Sequence, residues 1–269
     1  MRRRLLLGPL LIAALLGFWL LDTRVLARPL ASRLLLWLLC AGAFHEFARL
    51  VRRRVETAPG FAACGIAALS AVVLPFLVTG TPVPGLLIAL AALLAGGIRY
   101  LGLAPSRTAA GALPEAALLA AGILYTAGLL HFLDRLLVDS VSRAFAIVAV
   151  SKTSDILGYL VGSTVGRRRI APAVSPKKTW EGSIAGILGS GGVAALLAPV
   201  LSLPAPLSLS VGLAVGTASL LGDLLESGLK RWAGVKDSGA LLPEFGGFLD
   251  LLDGILVAAP VALFCLHGS

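Results

Sequence analysis

Four acidic residues fall into two pairs with one spacing: Asp223 with Glu226, and Asp250 with Asp253. Residues three apart on a helix share a face, so each pair aims two carboxyls the same way. Ser219 and Ser227 lie four residues either side of Asp223 and add hydroxyls to its stripe. A fifth carboxylate, Asp155, follows Lys152 by three residues, close enough to pair with it. Clustered carboxylates repel one another, and hard oxygen ligands of this kind suit Mg2+. The stretch "SPKKTWEGSIAG" (175–186) adds Ser175, Lys177, Lys178 and Thr179, all phosphate-seeking groups. Thr179 fits as the N-cap of a helix beginning near Trp180, and such a helix start attracts anions. Carboxylates for a metal and lysines for phosphates are the parts of phosphoryl or nucleotidyl transfer. The alternative for the acidic cluster is a structural polar network between helices, without metal.

These charges sit in an unusually apolar chain. Its 269 residues are 58% hydrophobic and 14% charged, with mean hydropathy +0.94. That composition excludes an ordinary soluble domain, and the long leucine and alanine runs exclude a transmembrane barrel. The reading is an all-α, polytopic integral membrane protein with about nine transmembrane helices: about 5–21, 29–47, 60–78, 83–101, 113–133, 141–161, 184–203, 206–229 and 248–266. The start resembles a signal peptide, but its apolar part is long and further spans follow at once, so a retained first helix is expected.

With the N-terminus cytoplasmic, the inside segments hold Arg2–Arg4, Arg49, Arg52–Arg54, Arg99, Arg107, Arg167–Arg169, Lys177, Lys178, Lys230, Arg231 and Lys236. The outside segments hold only Arg24, Arg28, Arg33, Arg135 and Arg143. This is the positive-inside bias, so the net charge of +9 marks a cytoplasmic collar and not a nucleic-acid surface. The chain divides at about residue 140. Residues 1–140 read as five scaffold spans facing lipid, and 141–269 as four catalytic spans with cytoplasmic loops 162–183 and 230–247. The N-terminal half reads as poor in chemistry, with His45 and Glu46 a solvated or snorkelling pair at a helix end. Cys40, Cys64 and Cys265 lie in apolar runs without metal spacing and read as small core residues. "GILGSGG" (186–192) permits close helix packing within or between chains, a homodimer included.

The polar segments resemble the two signature regions of the phosphatidate cytidylyltransferases, or CDP-diacylglycerol synthases. The family pattern runs serine, two residues, Lys-Arg, four residues, Lys-Asp, then Pro-Gly-His-Gly-Gly, then Asp-Arg, one residue and Asp. Here it reads Ser227, Lys230-Arg231, Lys236-Asp237, Pro243-Glu244-Phe245-Gly246-Gly247, Asp250-Leu251 and Asp253. Upstream, "SKTSDILGYLVG" resembles the family's Asp-x-x-Ala-Tyr-x-x-Gly segment through Asp155, Tyr159 and Gly162. Four positions depart: the family's Gly-His is Glu244-Phe245, the arginine of Asp-Arg is Leu251, and the alanine before the tyrosine is Gly158.

The resemblance implies transfer of a cytidylyl group from CTP to phosphatidic acid, giving CDP-diacylglycerol and pyrophosphate at the cytoplasmic face of the cell's inner membrane. It implies Asp223, Lys230 and Asp250 as catalytic groups and Mg2+ on Asp223, Glu226, Asp250 and Asp253. Substrate contacts would fall to Ser175, Lys177, Lys178, Thr179, Glu181, Ser227, Arg231, Lys236, Asp237, Gly246, Gly247, Asp155 and Tyr159. Three other readings stay open on the residues alone. They are a cytidylyltransferase for another membrane lipid phosphate, a cation-coupled transporter and an inactive relative.

Overall fold

The computed structural model describes residues 13–57, 60–103, 109–239 and 246–267. Residues 5–12 of the first expected span, together with Arg2–Arg4, Arg107 and Pro243–Phe245, lie outside the described residues. The described chain is helical apart from one hairpin. Residues 13–20 are helical and run into a π-helical turn, Leu21–Leu26. Then come α1 (Leu30–Arg52), α2 (Phe61–Thr79), α3 (Gly85–Leu103) and α4 (Ala109–Ile123), followed by a π-helical turn, Leu124–Gly128, and α5 (Leu129–Asp139). The second half holds α6 (Val141–Thr164), β1 (Arg169–Ala171), β2 (Ser175–Thr179), α7 (Trp180–Leu196), α8 (Ala198–Leu201), α9 (Ala205–Trp232) and α10 (Phe248–His267).

Six helical stretches among the described residues are long and apolar enough to cross a membrane: Leu30–Arg52, Gly85–Gly102, Ala112–Asp139, Val141–Thr164, Ala205–Trp232 and Phe248–His267. Large apolar side chains face outward from them. Leu86, Leu93, Leu101 and Phe264 are each about two-thirds exposed or more, a distribution that lipid tails solvate and water does not. The stretch expected as a span over 184–203 is interrupted. Helix α7 stops at Leu196, Leu197 leaves helical geometry, and α8 restarts with Pro199 in its first turn, where a missing N–H costs no intrahelical bond. The expected loop 162–183 is also shorter and more ordered than an open loop, because β1 and β2 pair antiparallel within it.

By internal contact the chain forms two compact units: residues 1–138 with 237–249, and 139–236 with 250–269. The first is far from poor in chemistry, and here the sequence reading needs correcting. Arg33 and Asp134 form a fully buried ion pair, Nε to Oδ1 at 2.6 Å. Arg33 also donates to the carbonyls of Phe76 (3.1 Å) and Thr81 (2.7 Å). Asp134 further accepts from Trp37 Nε1 (3.2 Å) and the Val83 amide (3.0 Å). One ion pair thus ties α1, the α2–α3 connection and α5 together, with its polar atoms turned to partners, as burial of charge demands. Asp22 accepts from the amides of Ala31 and Ser32 at 2.9 and 2.8 Å, capping the start of α1. Arg99 donates to Glu115, joining α3 to α4.

Glu46 is the second correction. It is not a solvated partner of the exposed His45 but is 4% exposed. Its Oε2 accepts from Ser238 Oγ and from the Leu249 amide, both at 2.9 Å. The physical reason is donor supply: a carboxylate can leave water where a hydroxyl and a helix-start N–H meet it. The three cysteines are free thiols; Cys40 is buried, while Cys64 and Cys265, also expected in the core, are half-buried.

Removing one partner of a buried ion pair leaves an uncompensated charge. Asp134→Ala should therefore cost roughly 3–5 kcal/mol, while the paired change Arg33→Met with Asp134→Leu should cost much less. Thermal unfolding of the detergent-solubilised protein measures both. Equal melting temperatures for Asp134→Ala and the native chain would refute the assigned role.

Candidate active site

The second unit is built on glycine. On α6, Gly158 and Gly162 leave the surface onto which Gly182 of α7 presses, backbone to backbone. One turn on, Gly186 meets the Ser154 carbonyl. Further along α7, Ser190 and Gly191 take Gly212 and Gly216 of α9 at the same close range. Hydroxyls close the contacts across helices: Ser190 Oγ donates to the Val150 carbonyl at 2.9 Å, and Ser154 Oγ to the Gly216 carbonyl at 3.2 Å. The glycine-rich face of α7 thus packs within the chain. This tight trio of α6, α7 and α9 brings chain-distant charges within reach of each other.

Glycine also admits the last helix. A Cβ on Gly222 of α9 would strike the Asp253 backbone of α10, and one on Gly254 would strike Ser219. Ser219 is fully buried and lies 2.9 Å from Ser151 Oγ. It packs helices and does not contribute to the Asp223 stripe. Ser227 does: its Oγ donates to Asp223 Oδ1 at 3.2 Å.

Around these contacts lie alternating charges. Lys178 Nζ of β2 pairs with Asp223 Oδ2 at 2.5 Å. Lys230 Nζ lies 2.7 Å from Glu226 Oε2 and 2.6 Å from Asp250 Oδ1. Lys152 Nζ lies 3.1 Å from Asp155 Oδ2 and 3.4 Å from Asp253 Oδ1, joining α6 to α10. Asp253 Oδ1 also accepts from the Gly254 amide at 2.6 Å. One ligand oxygen each from Asp223, Glu226 and Asp253 falls within 4.8 Å of the others. Of the four carboxylates expected to hold metal, three converge, and Asp250 turns to Lys230.

The convergent set fits a divalent cation on two counts. Glu226 is fully buried; Lys230 Nζ, 2.7 Å from its Oε2, is shared with Asp250, and its Oε1 has no hydrogen-bond donor among the described residues. An anionic group in that state calls for a cation. The geometry agrees: three carboxylate oxygens within 4.8 Å of one another repel unless positive charge lies among them, and hard oxygen ligands suit a divalent ion.

The remaining expected residues divide. Thr179 caps α7, its Oγ1 accepting from the Gly182 amide at 3.2 Å. Glu181 accepts from the amides of Arg167 (3.1 Å) and Arg168 (3.3 Å), closing the turn before β1. Its own backbone N–H, then that of Arg167, holds its carboxyl below the usual carboxylate range. Arg231 Nε donates to the Val174 carbonyl at 3.2 Å, and Arg169 to the Lys177 carbonyl at 2.9 Å, so arginines clamp the hairpin at both ends. Ser175 is half-buried in β2, while the Lys177, Lys236 and Asp237 side chains are exposed. Tyr159 is 71% exposed on α6 and is not drawn into the charge cluster. Gly246 has φ 86°, a left-handed conformation suited to glycine. The Lys152–Asp253 bridge escaped sequence reasoning, since Lys152 has an obvious nearer partner in Asp155.

Comparison with known proteins places the geometry in context. The model of the cytidylyltransferase family matches residues 10–268. The chain is 40% identical over 122 residues to the uncharacterized protein YnbB of Escherichia coli K12, covering 45% of this chain and 41% of that one. It is 40% identical over 124 residues to a phosphatidate cytidylyltransferase of Brucella abortus, covering 46% and 45%. It is 43% identical over 118 residues to phosphatidate cytidylyltransferase 4, chloroplastic, of Arabidopsis thaliana, covering 43% and 30%. In each case the match spans less than half of the relative's length.

The glycine contacts make a direct prediction. A Cβ at Gly182 would meet the backbone of Gly158 and Gly162, where no flexible side chain can give way. Gly182→Ala should therefore cost about 1–3 kcal/mol, read as a lower melting temperature, whereas Gly192→Ala, with open space around it, should not.

Proposed function

Because the chain belongs to the cytidylyltransferase family, we propose that the carboxylate–lysine cluster transfers a cytidylyl group from CTP to phosphatidic acid, giving CDP-diacylglycerol. The observation that carries the reading is the convergence of the buried Glu226 with Asp223 and Asp253, one ligand oxygen of each within 4.8 Å of the others. A phosphate oxygen of phosphatidic acid attacks the α-phosphorus of CTP, the bond from that phosphorus to the bridging oxygen breaks, and pyrophosphate leaves. The attacking oxygen is already anionic at neutral pH. No strong base is needed, and Phe245 in place of a histidine is compatible with turnover.

The task of the protein is to bring two polyanions together. Mg2+, held by Asp223, Glu226 and Asp253 with Asp250 beside them, would supply the positive charge that makes the α-phosphate open to attack. Lys178 and Lys230, whose ammonium groups now face Asp223 and Asp250, are the donors that turn to the triphosphate and stabilise the departing pyrophosphate. Lys152 holds Asp253 and Asp155 in place. Ser175, Lys177, Thr179 and Glu181 shape the phosphate-facing hairpin, and Ser227, Arg231, Lys236, Asp237, Gly246, Gly247 and Tyr159 complete the substrate contacts.

The membrane arrangement belongs to the same proposal: nine spans, the N-terminus and the active site facing the cytoplasm, and residence in the inner cell membrane. The distribution of arginine and lysine supports it. Residues 1–140 act as the lipid-facing scaffold and 141–269 as the catalytic part, with a homodimer compatible with the exposed apolar faces.

Purified protein given radiolabelled CTP, Mg2+ and phosphatidic acid should produce labelled lipid, and a chelator should stop it. Asp223→Asn and Lys178→Ala should each lower the rate on the order of 100-fold while the protein stays folded. Normal turnover by both variants would show that the chemistry lies elsewhere.

A further inference from the structure

Helix α1 carries two residues one turn apart that engage the start of α10 and residues just before it. Gly42 leaves room against which the ring of Phe248 packs. Glu46, on the same face of the helix, sends its carboxylate among Ser238, Gly239, Gly247 and Leu249. Both of its assigned donors reach one oxygen: Ser238 Oγ and the Leu249 amide, each 2.9 Å from Oε2. The backbone wraps this carboxylate closely. A Cβ on Gly239 or on Gly247 would collide with it. The two glycines are therefore required by a protein side chain, whatever else approaches them.

Leu249 is the second residue of α10. Its amide is one of the helix-start N–H groups that have no partner within the helix. A carboxylate there satisfies the donor and complements the positive end of the helix dipole. The next residue is Asp250, and Asp253 follows one turn later.

We propose that Glu46 is a positioning residue for cytidylyl transfer: by clamping the signature segment at Ser238 and Leu249 it fixes the first turn of the helix from which Asp250 and Asp253 project. The assignment rests on the reading of the acidic cluster as the transfer site. Glu46 acts through the backbone of one helix start and without contact to substrate. A carboxylate suits the role better than an amide, because its charge strengthens both hydrogen bonds and is favoured at the helix start.

The test uses the full chain in lipid nanodiscs, with Glu46→Ala, Glu46→Gln and the milder Ser238→Ala. Hydrogen–deuterium exchange over residues 246–252 reads the clamp without any turnover. Loss of a charge-assisted bond should speed exchange there about tenfold or more in Glu46→Ala, with the smallest change in Ser238→Ala. Transfer assays across a Mg2+ series read the positioning. In Glu46→Ala the half-saturating Mg2+ concentration should rise several-fold and kcat should fall. Glu46→Gln, which keeps one acceptor oxygen, should recover part of both. A role confined to stability would lower the yield of active protein and leave the Mg2+ midpoint where it was, and that result overturns the proposal. Unchanged exchange in Glu46→Ala overturns it as well. If Glu46→Ala does not fold, Ser238→Ala decides by the same two readouts. Native protein without transfer activity, yet with exchange accelerated in Glu46→Ala, would refute the cytidylyl reading and leave the clamp itself standing.

Discussion

A carboxylate taken out of water must find positive charge or hydrogen-bond donors within a few ångströms, and this requirement organises the protein. In the first unit, each of the buried acids is met this way. Asp134 has a guanidinium, an indole and a backbone amide. Asp22 has two amides, and Glu46 a hydroxyl and an amide. These sites are satisfied and hold helices in place. The second unit differs in one respect. Its most buried clustered acid, Glu226, shares Lys230 with Asp250, and its Oε1 has no donor among the described residues. The same physics that closes the first set of sites leaves the second open to a cation.

Backbone proximity makes that cluster possible. Asp223 and Asp253 belong to different helices, and their approach depends on Gly222 and Gly254 lying where any side chain would hold the helices apart. Gly158, Gly162, Gly182 and Gly186 do the same for α6 and α7. With little apolar driving force between helices in lipid, such contacts rely on dispersion and on serine-to-carbonyl bonds of the kind seen at Ser154 and Ser190. Packing and charge are thus coupled: a methyl group added at the wrong glycine would spread the carboxylates as well as the helices.

Much of this was legible in the sequence. Helix positions follow from long apolar runs broken by Pro and Gly, and the observed helices Ala205–Trp232 and Phe248–His267 lie within a few residues of the expected ones. The pairings Lys152–Asp155 and Ser227–Asp223 were readable because they are local, three and four residues apart. The cap at Thr179 was readable for the same reason. What escaped was non-local. Arg33 and Asp134 lie 101 residues apart, and each alone looks like an edge-of-span charge. Glu46 and Leu249 lie 203 apart, and "HEFARLVRRR" has the look of a solvated helix exit. Sequence spacing reports on faces of a helix; it carries no information on which distant backbone amide a carboxylate will meet. The break at Leu197 was hidden by apolar residues on both sides of Pro199.

The account depends on a divalent ion settling among Asp223, Glu226 and Asp253. Anomalous scattering from crystals grown with Mn2+, a spectroscopically heavier stand-in for Mg2+, locates such an ion directly. The expected result is a single strong peak roughly 2.1–2.2 Å from one oxygen of each of the three carboxylates. A peak elsewhere, or native Glu226 still without a cation at saturating Mn2+, would contradict the account.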